Sequence, residues 1–160
     1  MIIIITTDIS HQRREEIMQQ VSKFVSYFVF PMTVLVAHLV ASKVLNLYLR
    51  FPHLDIPAHF VGGLAIAYTS SQILSYLEKE KVTAPLNPVL FLIFIFSLTA
   101  TATVFWEFVE FIYDQLLNTN IQISLTNTMQ DQLMGILGGV AWILIYTRQL
   151  EKITENRMPR

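Results

Sequence analysis

The chain has 160 residues, of which 53% are hydrophobic and only 14% charged, with a net charge of −1 and no cysteine. An average soluble domain is about 25% charged, so this composition excludes an ordinary hydrated surface over most of the chain. The near-zero net charge leaves no electrostatic footprint for a nucleic-acid partner, and the missing cysteines exclude disulfides and thiolate metal sites.

Residues 1–23 begin with a short apolar run, Met1 to Ile5, and then place Ile9, Ile17 and Val21 among charges. That pattern predicts a short amphipathic helix over residues 9–22 at the membrane interface, either separate from the first span or continuous with it. A membrane span needs about 20 mostly apolar residues. Four stretches qualify: Phe24–Leu49, Ile56–Leu77, Asn87–Leu116 and Thr128–Leu150. The first half of the third, Val89 to Phe105, carries no charge. The connectors are a short turn from Arg50 to Asp55, a charged loop from Glu78 to Pro85, and a polar uncharged loop from Asn118 to Asn127. In the last of these, Ile121-Gln122-Ile123-Ser124-Leu125 alternates as a short strand or an interfacial segment would. The prediction is an all-α, polytopic membrane protein: a four-transmembrane-helix bundle with a short N-terminal interfacial helix. Residues 1–23 form a cytoplasmic or interfacial segment, 24–150 the transmembrane domain and 151–160 a cytoplasmic tail.

Lysine and arginine set orientation. Arg13, Arg14, Lys23, Lys79, Lys81, Arg148, Lys152, Arg157 and Arg160 lie at the termini or in the middle loop, and only Lys43 and Arg50 lie toward the opposite side. Both termini are therefore expected in the cytoplasm of a multi-pass protein of the cell (plasma) membrane, with the 50–55 turn and the 118–127 loop outside.

The acidic residues then converge on the outer half. Ala100, Thr103, Glu107, Glu110 and Asp114 recur at steps of three and four residues, as do Asp55, His59, Gly62, Ile66 and Thr69, and Thr128, Asp131, Gly135, Gly138 and Trp142. Each series makes one stripe on a helix, able to face a bundle interior. Ala58-x-x-x-Gly62 and Gly135-x-x-x-Gly139 permit close helix approach, and plain packing is the readier explanation of these glycines. Glu107 lies about two turns below the outer end of its helix, where a charge costs on the order of 2.5–3.5 kcal/mol. Its expected partners are His59 and His38, the latter on a stripe with Ser42, Leu45 and Leu49. Asp55 and Asp131 also suit helix N-termini, where a carboxylate can simply cap. Glu110 and Asp114 sit where the helix dipole disfavours negative charge, so something must compensate: bound protons, Lys43, Arg50 or a cation. Carboxylates with an imidazole are a ligand set for zinc, manganese or iron, and helix bundles build metal sites from such inward groups. The metal candidates are His59, Glu107, Glu110 and Asp131; the candidate catalytic residues are His59 and Glu107; the wider polar cluster is Asp55, His59, Glu107, Glu110, Asp114 and Asp131.

The same residues carry a resemblance. Asp55-Ile-Pro-Ala-His59-Phe-Val-Gly62, Trp106-Glu107-Phe-Val-Glu110 and Thr128-Met-Gln-Asp131, followed by Gly135 and Gly138, resemble the VanZ-like superfamily of small membrane proteins and, within it, the YjdF-like branch. The likeness spans residues 50–142 or so. It departs at Ile56, Gly135 and Asn127, where the family tends to carry lysine, asparagine and aspartate. The resemblance implies a membrane domain of four to five helices, linked in name to glycopeptide resistance, and no settled reaction. Several functions stay open at this level: a cell-envelope protein binding a polar ligand, lipid head group or cation; a metal-dependent enzyme acting on a membrane lipid or cell-wall precursor; a proton or cation pathway; and a non-catalytic scaffold. No nucleophile motif chooses the enzyme.

Overall fold

The computed structural model describes residues 2–45 and 47–155, except for the side chains at 2–12, 42, 43, 48, 49, 52 and 150–155. Lys43 as a counter-charge, Ser42 and Leu49 of the His38 stripe, and the charges of the 151–160 tail therefore lie outside the described side chains.

Among the described residues every regular element is helical. The 121–125 alternation forms no strand; a bend at Ile121 and Gln122 leads straight into the last helix. Helix α1 runs Ile2–Ser26 and α2 runs Val29–Leu39, with a 42° bend between Arg13–Ser26 and Val29–Leu39. The reason is local. Pro31 has no N–H to offer the carbonyl one turn back, at Tyr27. That carbonyl instead accepts from Thr69 Oγ1 at 2.9 Å, which ties the bend to a neighbouring helix. A π-helical turn, Val40–Val44, closes by Leu45 N–H donating to the Val40 carbonyl at 3.0 Å. The short α3, Leu47–Arg50, and a 3-10 turn, Pro52–Leu54, then lead into α4. The predicted Phe24–Leu49 span is thus not one straight helix, and α1 reaches back well beyond the short interfacial helix expected.

The other three helices match the predicted spans to within five residues at each end: α4 is Asp55–Lys79, α5 is Pro88–Leu117 and α6 is Leu125–Glu155. Asn87 caps α5, its side chain accepting from Val89 N–H at 2.9 Å with Pro88 in the first turn. Asn118 ends α5 in the left-handed region, φ 52°. Among the described residues, only α5 is, alone, both long and apolar enough to cross a membrane by composition, and the bent α1–α2 pair qualifies if counted as one span. Helices α4 and α6 have the length, and each carries many small and polar residues among its apolar ones.

Those residues are what the helices bury. On α4 the buried positions are Gly63, Ala65, Ala67, Thr69, Ser70 and Ser71; on α5 they are Phe91, Ile95, Thr99, Thr103, Glu107 and Glu110. Bulky apolar side chains point out instead: Phe105 is 61% exposed and Leu116 76%. A water-soluble fold puts its large hydrophobes inside, whereas this molecule turns them outward, as lipid-facing helices do.

Helices α4 and α6 make the most extensive contact, and it is backbone to backbone. A Cβ on Gly63 would strike Gly135, and one on Gly138 would strike the Phe60 carbonyl. Thr99 and Thr103 of α5 lie against Gly139 and Gly135. The pattern is that of small residues letting membrane helices meet. The expected Gly62 is different: nothing lies within 4 Å of a Cβ placed there, and its neighbour Gly63 makes the contact. At the end of the bundle away from the α5–α6 loop, Ala67, Phe91 and Ile95 form an apolar core with Trp142 and Tyr146 packed against it. The Phe91 and Tyr146 rings stack at 5.6 Å, and Trp142 Nε1 donates to Ser71 Oγ at 3.1 Å.

Candidate functional site

The opposite end gathers the acidic side chains. Asp55 is the first residue of α4 and His59 lies one turn further. Asp55 makes no side-chain cap for α4; its Oδ1 faces His59 Nε2 at 3.5 Å. Asp131 does not cap α6 either. The helix begins at Leu125, and Ser124 Oγ accepts from Asn127 N–H, the bond of an N-cap. Asp131 lies further along α6 and turns inward, 2% exposed. Glu107 and Glu110 approach from α5, 3% and 8% exposed.

Two overlapping triads result: Asp55, His59 and Asp131, and His59, Glu107 and Glu110. Within each, one ligand atom per residue lies within 4.8 Å of the others. Ligands on opposite sides of a divalent ion are separated by twice the metal–ligand distance, about 4–5 Å, so both triads are of a size to close on one ion. His59 belongs to both and stands at the centre.

Neighbours satisfy part of this cluster and leave part bare. Trp106 Nε1 donates to Glu110 Oε1 at 2.9 Å, and Asn127 Nδ2 to Asp131 Oδ2 at 2.7 Å. Gln122 Nε2 donates to Glu107 Oε2 at 3.0 Å and to the Glu107 carbonyl at 2.9 Å. Glu107 Oε1 and Asp131 Oδ1 remain buried with no hydrogen-bond partner. Leaving a buried polar atom unpaired costs about 1–3 kcal/mol, more when charged. The two bare carboxylate oxygens, from α5 and α6, with the His59 imidazole of α4 facing Asp55 between the two triads, are what a bound cation would satisfy.

Asp114 has another task. Its carboxylate accepts from Thr119 Oγ1 at 2.6 Å and from the N–H groups of Ile121 and Gln122 at 2.8–2.9 Å. It folds the α5–α6 loop back over the end of α5 and so delivers the Gln122 amide to Glu107. It is a partner of the loop and belongs to neither triad. His38 sits edge-on to Trp106 and to His59, with ring centroids 5.9 and 6.5 Å apart. Arg50, considered as a counter-charge, is exposed.

Gln122, Asn127 and Trp106 are the residues that sequence reasoning did not single out as ligand-holding. Trp106 and Asn127 had a findable signal, since each lies four positions before the carboxylate it serves and therefore on the same helix face. Gln122 had none, because its position depends on how the loop folds.

Residues 2–152 match the family described as "Predicted membrane protein (DUF2238)". No curated protein and no solved structure matches the chain.

Proposed function

Because the chain belongs to that membrane-protein family over residues 2–152, we propose that it is a multi-pass protein of the cell envelope whose buried Asp55, His59, Glu107, Glu110 and Asp131 bind a divalent cation. The observation that carries this reading is the pair of buried carboxylate oxygens without a hydrogen-bond partner, Glu107 Oε1 and Asp131 Oδ1, within the two triads that share His59, whose Nε2 faces the Asp55 carboxylate at 3.5 Å. One imidazole among carboxylates favours zinc, manganese or iron over calcium or magnesium. Gln122, Asn127 and Trp106 serve as the outer partners that orient ligating carboxylates.

Around this site the chain crosses the bilayer four times, the first time as the bent segment from Phe24 to Leu49, with residues 1–23 at the cytoplasmic interface and 151–160 in the cytoplasm. The lysine and arginine distribution supports that orientation, which puts the cluster in the outer half of the membrane. The VanZ-like resemblance of Asp55 to His59, Trp106 to Glu110 and Thr128 to Asp131 supports grouping these residues as one site.

The test is elemental mass spectrometry of the full chain in nanodiscs, wild type beside Glu107→Gln and His59→Ala. Near-stoichiometric metal in the wild type, lost from both variants, is the expected result. A metal-free wild type after loading with zinc, manganese or iron would refute the proposal and leave the cluster a packing device.

A further inference from the structure

A cavity of about 650 Å³ opens between α2, α4 and α5, and it begins at the cation site. Its walls are mostly apolar, with Phe28 and Leu35 on the α2 side, Ile66, Ile73 and Leu77 on α4, and Leu98 on α5. The polar groups gather mainly at one end, where His38, His59, Thr103 and Trp106 line it, with the hydroxyls of Thr69 and Ser70 further along α4. None of the clustered carboxylates is among the lining residues. They stand behind His59, so the cleft meets the imidazole side of the site.

The dimensions restrict what fits. His59 and Leu77 are both lining residues of the same helix. At 1.5 Å per residue their separation is about 27 Å. That is longer than one leaflet of hydrocarbon, about half of the roughly 30 Å core. The cleft runs along α4, which suits one long chain rather than a pair of tails. It has an open side, and Val36 and Leu39 of α2 and Phe94 and Phe105 of α5 are exposed on the surrounding surface, so a chain can enter from the bilayer without passing through water.

We infer that this cleft holds the hydrocarbon chain of a single-chain, phosphate-headed lipid, with the head against His38 and His59 at the mouth of the cation site. Charge complementarity decides the head. Imidazoles donate hydrogen bonds to phosphate oxygens, and a divalent ion behind His59 attracts the same group, whereas no carboxylate lines the cleft to receive an ammonium. The bend at Tyr27 and Phe28 shapes the far end, with Phe28 itself in the wall. This inference rests on the cation reading for the head group but not for the chain, which the cleft alone accounts for.

The test is native mass spectrometry of the delipidated full chain, titrated with oleoyl lysophosphatidic acid, with monoolein and with dioleoyl phosphatidic acid, the metal content of each sample being read in parallel. One lysophosphatidic acid per chain is expected, held about ten-fold more tightly than monoolein, a ratio typical of one added hydrogen-bonded head contact. Ile73→Trp and Leu35→Trp fill the cleft from opposite walls and should weaken it about ten-fold with metal retained. His38→Ala should abolish the preference for phosphate over monoolein. A second readout needs no cleft-filling variant: a brominated-chain lysophosphatidic acid should quench Trp106 fluorescence in a Trp142→Phe background. Equal affinity for monoolein, equal or better binding of the two-tailed lipid, or an unquenched Trp106 would overturn the inference. Metal retained without lipid binding also overturns it and leaves the cation reading intact. Lipid bound and Trp106 quenched with no metal in the wild type upholds the cleft and refutes the cation reading.

Discussion

Two adjacent glycines of α4 should respond in opposite ways to the same substitution. In Gly63→Ala the new Cβ would come within 2.8 Å of the Gly135 Cα and closer still to that residue's carbonyl. Ordinary contact begins near 3.4 Å, and the obstructing atoms are backbone, so no side-chain rotation relieves the clash. Helices α4 and α6 must separate along their closest line of approach. Overpacking of this kind costs about 1–3 kcal/mol, and the looser packing of the two separated helices pushes the cost toward the upper part of that range. In Gly62→Ala, one residue earlier, nothing lies within 4 Å of the new Cβ. Alanine restricts the unfolded chain and favours helix, so a gain of about 0.4–1 kcal/mol is expected. Reversible unfolding in mixed detergent micelles, followed by circular dichroism, measures both. A Gly63→Ala protein as stable as wild type, or a Gly62→Ala protein as destabilised as Gly63→Ala, would refute the backbone-to-backbone packing of α4 and α6.

The loop and its partners give further expectations. Gln122→Ala removes the amide that orients Glu107 and should lower metal affinity about 10–100-fold, read by competition with a chelating dye, without loss of helix content. Asp114→Ala leaves Ile121 and Gln122 N–H without their carboxylate; hydrogen exchange should show those two amides opening at least about ten-fold faster, with the exchange of α4 unchanged. The same variant should weaken metal binding indirectly, and Asp114→Glu should retain it in part. The chain has no cysteine, so single cysteines report topology directly: Asn120→Cys should be labelled by an impermeant maleimide on intact cells, and Lys79→Cys only after permeabilisation. The reverse pattern would refute the proposed orientation.

Much of the helical organisation can be read from the chain because membrane helices are specified by composition and period. The bounds expected for the last three spans differ from α4, α5 and α6 by only a few residues, since Pro88, Asn87 and the charged 78–85 loop mark their ends locally. The stripes are legible for the same reason: a 3.6-residue repeat assigns Thr103, Glu107 and Glu110 to one face of α5 and Asp55 and His59 to one face of α4 without any knowledge of the partner helix. Belonging to a membrane-protein family agrees with the low charge and the apolar spans.

What the chain by itself did not determine is everything that depends on relative helix placement. Periodicity cannot say that Gly63 meets Gly135 while Gly62 faces open space, because neighbouring residues point in different directions around a helix with 3.6 residues per turn, and only the partner decides which is in contact. It left Asp55 and Asp131 divided between capping and clustering, a choice made by where α4 and α6 begin and which helix stands opposite. It placed Asp114 with Glu107 and Glu110 because all three share a face; the loop then folded back and took Asp114 as its anchor. It took Phe24 to Leu49 as one apolar run, although Pro31 and the Tyr27 carbonyl it leaves unpaired bend that run against Thr69. The cleft between α2, α4 and α5 exists only through that bend and that packing, since a cavity is the space left between elements and no single segment encodes it.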